Sequence, residues 1–303
     1  KLHEFEIYYQ PQIDTISKTI VGAEALSRWV KEDGTVIRPD EFVGVLEHAN
    51  RLAELDFYVI NQVFDFIRRQ RKSFSKIVPI SINLTKRHIM EESFFDHLNE
   101  LMKKYEIREK DFLFEIKEEV FNDDLDAAIL FCDHLKFMGI RVMMDSFGNG
   151  YSSLNVMDRI PVEYIKLDRL FIKNNTFEKN EGIILNGIVD IAKKLQKSIA
   201  SIGVETAEQN EFLCRCGCDM IQGNYYSKPL TEEELTAYIS RHSEPALHYA
   251  YFKFDGSFEA NHACYMASTN GVYLGFNDKQ LSGRKVLELP GGLTGHDMIE
   301  LSL

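Results

Sequence analysis

The feature that most constrains this chain is the order of its local patterns: strand-like and helix-like segments alternate from the first residues to about residue 242. Strand-like runs at 4–13 and 20–29 are followed by helical periods at 40–48 and 51–71 and by an apolar strand at 77–84. The alternation continues with helix 91–105, strand 112–116, helix 125–138, strand 140–144, helix 152–158 and strand 164–167. Helix 182–195, strand 198–204, helix 207–216, a short strand at 219–222 and a last helix at 232–242 complete it. Such alternation predicts a parallel sheet covered by helices. The number of repeats, with an acidic or amide residue at the end of nearly every strand, favours a closed (β/α)8 barrel over an open doubly wound sheet.

The texture changes from residue 244. Seven of the eighteen glycines fall in the last sixty residues, aromatic and polar residues alternate, and no long helical period survives. The expected organisation is therefore a barrel over 1–243 and a turn-rich β appendage, or part of a second module, over 244–303. With 303 residues and 45% hydrophobic residues, the chain can bury a core of barrel size.

A net charge of -12 argues against a broad basic surface, so nucleic acid is not an expected partner. Five cysteines, three of them at alternate positions (Cys214, Cys216, Cys218), match neither a disulfide framework nor a zinc knuckle, and read as reduced thiols in the cytoplasm. No apolar run reaches the roughly 18 residues of a membrane helix. The chain begins at Lys1 rather than Met, which reads as a module excised from a longer protein, and that parent is open to membrane tethering.

The strand ends collect Glu24, Asn83, Glu115, Asp145 and Lys166, residue types suited to a hard cation or to a phosphate. One carboxylate at a strand end is ordinarily a cap or an ion-pair partner. Five such positions in five successive units point to a site at the C-terminal face of a barrel, with an ion-pair network as the competing reading.

These residues sit within ordered blocks: Tyr9-Gln10-Pro11, Glu24-Ala25-Leu26-Ser27-Arg28-Trp29, Asn83-Leu84, Glu115-Ile116-Lys117-Glu118, Asp145-Ser146-Phe147-Gly148-Asn149-Gly150-Tyr151-Ser152-Ser153-Leu154, Lys166-Leu167-Asp168, Gly203-Val204-Glu205-Thr206 and Gln222-Gly223. In this order and spacing the chain resembles the EAL domain family of cyclic di-GMP phosphodiesterases over about residues 4–242. The resemblance implies a TIM-like barrel of EAL type and hydrolysis of cyclic di-GMP to pGpG with two divalent ions, magnesium or manganese. It implies Glu24, Asn83, Glu115 and Asp145 as ligands of a first ion and Lys166 as the lysine near the attacking water. It also implies Gln10, Glu24, Leu26, Arg28, Asp168 and Gln222 as contacts to the dinucleotide. An upstream GGDEF or sensor domain and a second copy of the chain, forming a homodimer, are candidate partners.

The departures from the family pattern lie on the side of the second ion. Ser146 stands where the family has an aspartate, and Ile202 stands where it has a glutamate. Glu205 does not take over that role, because Gly203-Val204-Glu205-Thr206 already aligns without a gap. Lys117 replaces a threonine; with strand period two it shares a side with Glu115, so it either supplies positive charge at the metal site or reaches out to solvent. The expected function is a degenerate EAL domain that binds or signals through cyclic di-GMP with weak or no hydrolysis, holding one ion at most or none. The alternatives are an active phosphodiesterase and a protein-interaction scaffold that has lost the nucleotide.

Overall fold

The computed structural model describes residues 4–73, 75–91, 93–148, 154–169, 171, 182–242, 263–268, 271–276 and 288–289. The chain divides into two compact units, one of residues 1–16 with 20–243 and one of residues 17–19 with 244–303.

The first unit is a closed barrel. Strands β1 (Phe5–Asp14) and β2 (Ile20–Val30) form an antiparallel hairpin, and β3 (Val36–Ile37) adds a short edge to β2. Strands β4 (Ile80–Leu84), β5 (Phe112–Lys117), β6 (Arg141–Phe147), β7 (Tyr164–Leu167), β8 (Ser198–Ile202) and β9 (Met220–Gln222) follow. The sheet runs β1-β9-β8-β7-β6-β5-β4-β2 and closes through the β1–β2 pairing. From β2 to β9 neighbouring barrel strands are parallel, whereas β1 is antiparallel to both neighbours. The expected parallel sheet runs from β2 to β9, and β1 adds an antiparallel strand that the alternation did not specify. Residues 15–19 are too few for the crossover of a dozen or more residues that a parallel pair needs, so the chain must return as a hairpin.

The helices between the strands are α1 (Pro39–His48), α2 (Leu52–Lys72), α3 (Phe94–Tyr105), α4 (Glu118–Asp123), α5 (Leu125–Phe137), α6 (Leu154–Arg159), α7 (Gly182–Lys194), α8 (Ala207–Cys216) and α9 (Glu232–His242). Helix α5 starts where Asp124 Oδ1 accepts from the Ala127 N–H at 3.1 Å, and α8 starts with a reciprocal cap between Thr206 and Gln209. No described helix is long and apolar enough to cross a membrane.

Alternation along the strands sorts the core into two layers. Phe112, Phe114 and Ile116 of β5 belong to the large buried cluster shared with Ile60, Val63, Phe64 and Ile67 of α2. Leu113, of opposite parity, belongs instead to a small cluster with Met143, Ala200 and Met220 inside the barrel. Glu115 shares the parity of Leu113, and so the strand that buries an aromatic face also carries a carboxylate into the interior.

Gly223, at the end of β9, fixes how closely two strand ends approach. A Cβ there would lie 2.1 Å from the Val204 carbonyl oxygen and 2.4 Å from its nitrogen, both backbone atoms that no rotamer change can move. Gly223→Ala is expected to cost at least about 3 kcal/mol, at the upper end of overpacking penalties. Urea unfolding reads it; an unchanged midpoint would show that the close approach is not required.

The described part of the second unit is a three-stranded antiparallel sheet, with β10 (Ala263–Ser268) paired to β11 (Gly271–Phe276) and β11 to β12 (Glu288–Leu289).

Candidate functional site

Strand register assembles the site. Gln10 of β1 faces Glu24 of β2, Asn83 of β4 faces Glu115 of β5, Lys117 pairs with Asp145 of β6, and Ile202 of β8 pairs with Gln222 of β9. Lys166 of β7 reaches into this group and is 2% exposed. Its Nζ donates to Glu115 Oε2 at 2.6 Å and Glu24 Oε2 at 2.7 Å, and lies 3.7 Å from Asp145 Oδ1. Glu24 receives two further donors, Asn83 Nδ2 on Oε1 at 2.9 Å and Gln222 Nε2 on Oε2 at 2.7 Å. Gln222 Nε2 also donates to Gln10 Oε1 at 3.1 Å.

Seven of the residues singled out from sequence thus meet at one place: Gln10, Glu24, Asn83, Glu115, Asp145, Lys166 and Gln222. Leu26 and Arg28 continue β2 past Glu24 with the same parity and are half-buried; Arg28 Nη1 donates to the Ser27 carbonyl at 2.9 Å. Asp168 follows β7 directly, half-buried, and its N–H donates to the Phe147 carbonyl at 3.2 Å. Residues Asn149 to Ser153 of the long signature block lie outside the described residues.

Three carboxylates surround one ammonium, and the acidities of Glu24 and Glu115 move in opposite directions. Burial disfavours the Glu24 anion, yet the Lys166 charge and donors from Lys166, Gln222 and Asn83 outweigh it and lower its pKa. Glu115 is pushed up to about 8, by burial first and by the Glu24 charge second, against the pull of Lys166. Burial alone would lower the pKa of Lys166, but the charges of Glu115, Glu24 and Asp145 raise it well above the ordinary lysine value. Glu115 Oε1 is buried and has no hydrogen-bond partner among the described residues.

Two of the three positions that depart from the expected pattern, Ser146 and Ile202, are neutral. Ser146 sits at a break in the β6–β7 register with φ of 60°, and its Oγ donates to Asp145 Oδ2 at 3.1 Å. Ile202 is half-buried at the end of β8, and Glu205 is exposed beyond it, its N–H donating to Gln209 Oε1 at 2.7 Å. Lys117 turns out of the cluster: its side chain is 57% exposed and its Nζ lies 3.8 Å from Glu119 Oε1. The shared parity with Glu115 fails as a guide because β5 ends at Lys117, which is already the residue before α4.

Two residues were not anticipated. Gln12, two positions beyond Gln10 on the same face of β1 and 2% exposed, donates to Gln222 Oε1 at 3.2 Å and Ser81 Oγ at 3.3 Å. Gly22 opposite makes room for it, since a Cβ there would meet Gln12 Oε1 at 2.5 Å. Period two from Gln10 would have found it. Glu118 is buried in the first turn of α4 and accepts from the Gly148 N–H at 3.1 Å, tying α4 to the turn after β6. Away from the cluster, an open groove of about 500 Å³ is lined by Thr85, Lys86, Arg87, Met90, Val120 and Asp123, in segments that follow β4 and β5.

Residues 1–229 match the EAL domain family. Among similar proteins of known name, the bifunctional diguanylate cyclase/cyclic di-GMP phosphodiesterase MucR of Pseudomonas aeruginosa is 27% identical over 77% of this chain and 34% of its own length. The cyclic di-GMP phosphodiesterase RocR of the same organism is 28% identical over 78% of this chain and 60% of its own. The chain therefore spans less than two thirds of either relative. Among solved structures, the PaMucR phosphodiesterase in complex with c-di-GMP superimposes with a TM-score of 0.72 at 27% identity, covering 77% of this chain and 94% of that one. An EAL domain protein of Listeria monocytogenes gives 0.69 at 28% identity, covering 78% and 93%. With the ordered blocks, the closed barrel and the strand-end cluster all in place, the chain belongs to the EAL domain family.

Proposed function

We propose that this chain binds cyclic di-GMP at the Glu24–Lys166 cluster as a signalling module and hydrolyses it weakly or not at all. The observation that carries this reading is the neutral pair at Ser146 and Ile202, where the family pattern calls for two carboxylates. Cyclic di-GMP as ligand is supported by the relatives, which are phosphodiesterases of that dinucleotide. A solved relative at 27% identity is a c-di-GMP complex.

For one divalent ion the donors are adequate. Glu24, Glu115 and Asp145 offer carboxylate oxygens and Asn83 an amide oxygen, the hard donors that magnesium or manganese takes. The buried Glu115 Oε1, lacking a hydrogen bond among the described residues, is the atom such an ion would satisfy. For a second ion they are inadequate, since Ser146 and Ile202 bring no charge. When bound, a divalent ion lends Lewis acidity to a water and to the phosphate. The chain's own groups orient the dinucleotide: Arg28 presents forked donors to phosphate or a guanine edge, and Gln10 and Gln222 hold the floor beside Glu24.

Titration of cyclic di-GMP into the purified chain, followed calorimetrically with and without magnesium, tests the proposal. Saturable binding without turnover is expected, and no heat in either buffer removes it in favour of a scaffold. Arg28→Ala should weaken binding at least about 5-fold. An unchanged isotherm for that variant takes Arg28 out of the site. The active phosphodiesterase is the second reading, favoured by the convergence of Glu24, Asn83, Glu115, Asp145 and Lys166; formation of pGpG in the same mixtures decides between them. We assign residues 244–303 to a separate module, and a GGDEF or sensor partner domain, homodimer formation and a cytoplasmic setting belong to the same proposal.

A further inference from the structure

We propose that Gln12 is a positioning residue of the dinucleotide site: its buried amide fixes which end of the Gln222 amide meets Glu24, and through Gln222 it holds Glu24 and Gln10 in place for the ligand. This role presupposes the ligand site proposed above, and one arm of its test uses no nucleotide, so the two readings fail separately.

A side-chain amide donates at one end and accepts at the other, so each glutamine in a buried row has a right and a wrong way round. Here the directions are fixed at two points by groups that only accept. Gln10 Nε2 donates to the Ser227 carbonyl at 3.2 Å, which leaves Gln10 Oε1 to accept from Gln222 Nε2 at 3.1 Å. The Glu24 carboxylate accepts from the same Gln222 nitrogen, on Oε2 at 2.7 Å. The Gln222 carbonyl oxygen must then point the other way, and it needs a donor on a residue that is only 5% exposed. Gln12 Nε2 is that donor, at 3.2 Å. Turning the Gln222 amide over would set oxygen against oxygen at Glu24 and nitrogen against nitrogen at Gln12.

Strand register makes the contact possible. Gln12 of β1 lies opposite Gln222 of β9 and, on its other side, opposite Gly22 of β2. Because Gly22 has no side chain, the Gln12 amide passes over β2, and its Nε2 also donates to Ser81 Oγ of β4 at 3.3 Å. A Cβ on Gly22 would meet Gln12 Oε1 at 2.5 Å, so any larger residue there pushes the amide aside. Gln12 and Ser81 are both buried, and bulk water does not replace either partner. Gln12 lies one pleat deeper in the barrel than Gln10, on the same face of β1, and it acts on the ligand only through Gln222. A dinucleotide that finds Glu24 and Gln10 already oriented is spared the cost of ordering them on binding.

Magnetic resonance of the nucleotide-free chain labelled with 15N-glutamine reads the amide directly. The Gln222 side-chain NH2, assigned by its loss in Gln222→Glu, is expected to exchange with water at least about 10-fold more slowly than an exposed glutamine. In Gln12→Met, which keeps the side-chain length and removes the donor, exchange at Gln222 should speed up, and cyclic di-GMP should bind at least about 5-fold more weakly by calorimetry in the same buffer. Gly22→Ala changes no glutamine but sets a methyl group against Gln12 Oε1, and it should shift both readings in the same direction. It decides the matter if Gln12→Met does not fold. An unprotected Gln222 amide in wild type, or a wild-type isotherm in the folded variants, overturns the role of Gln12. A wild-type chain that binds no nucleotide while its Gln222 amide is protected removes the ligand site, and with it the role, but leaves the amide order standing.

Discussion

Supplied with cyclic di-GMP and magnesium or manganese, the wild-type chain is expected to form pGpG far more slowly than about 1 per second, the low end of ordinary enzyme turnover. A two-ion clamp stabilises both the attacking and the leaving oxygen, and each ion keeps its place through anionic oxygens. The side of the site that would hold the second ion offers a serine hydroxyl already donated to Asp145 and a half-buried isoleucine. An ammonium at the centre can offset static charge, but it cannot lower the pKa of a water or bridge to a phosphate oxygen as a Lewis acid.

Restoration should need both positions. Ser146→Asp with Ile202→Glu is expected to raise turnover at least about 10-fold, measured by chromatography of pGpG at saturating manganese. The backbone favours the first change, because at φ of 60° an aspartate is tolerated better than most residues. Adding Lys117→Thr should change little, since the Lys117 ammonium lies against Glu119 at the rim rather than among the carboxylates. A wild-type chain turning over at about 1 per second or faster would defeat the degenerate reading.

How far these features could be read from the sequence depends on how local their causes are. Strand Tyr164–Leu167 and helices Ala207–Cys216 and Glu232–His242 occur at the expected residues, because period and caps are encoded within each segment. The convergence of Glu24, Asn83, Glu115, Asp145 and Lys166 also followed, since parallel strands in a barrel bring their C-terminal ends to one face. Contacts between distant segments were the ones missed. Glu118 is buried because Gly148, thirty residues on, gives it an N–H donor, and nothing around position 118 announces that partner. Lys117 was misplaced on one branch of its reading because parity holds only while a strand continues. The position of the Lys166 ammonium among three carboxylates was likewise invisible, being set by the lengths of side chains from four strands rather than by any spacing in β7.

That same crowding makes stability depend on pH in a direction opposite to most carboxylates. Glu115 holds its proton up to about 8, well above its ordinary value of 4.5. Between these values the folded chain retains a proton that the unfolded chain has released, so stability falls as pH rises through the window. The slope from this group reaches about 1.4 kcal/mol per pH unit where the two states differ by a full proton. Glu24 does not cancel it: its pKa is lowered, so its contribution is present above the ordinary carboxylate range and lost only as pH falls below it. Nor does Lys166, whose raised pKa keeps its contribution whole until pH climbs past the ordinary lysine value. Glu115→Gln preserves shape and removes the titration. The difference in unfolding free energy between wild type and this variant, taken from urea curves at several values from about pH 5 to about pH 8, should fall by roughly 3 kcal/mol across the range. Taking the difference removes other titrating groups from the comparison. A difference that stays level or rises with pH would mean that Glu115 is already ionised at the acid end, paired with Lys166 as an ordinary buried salt bridge.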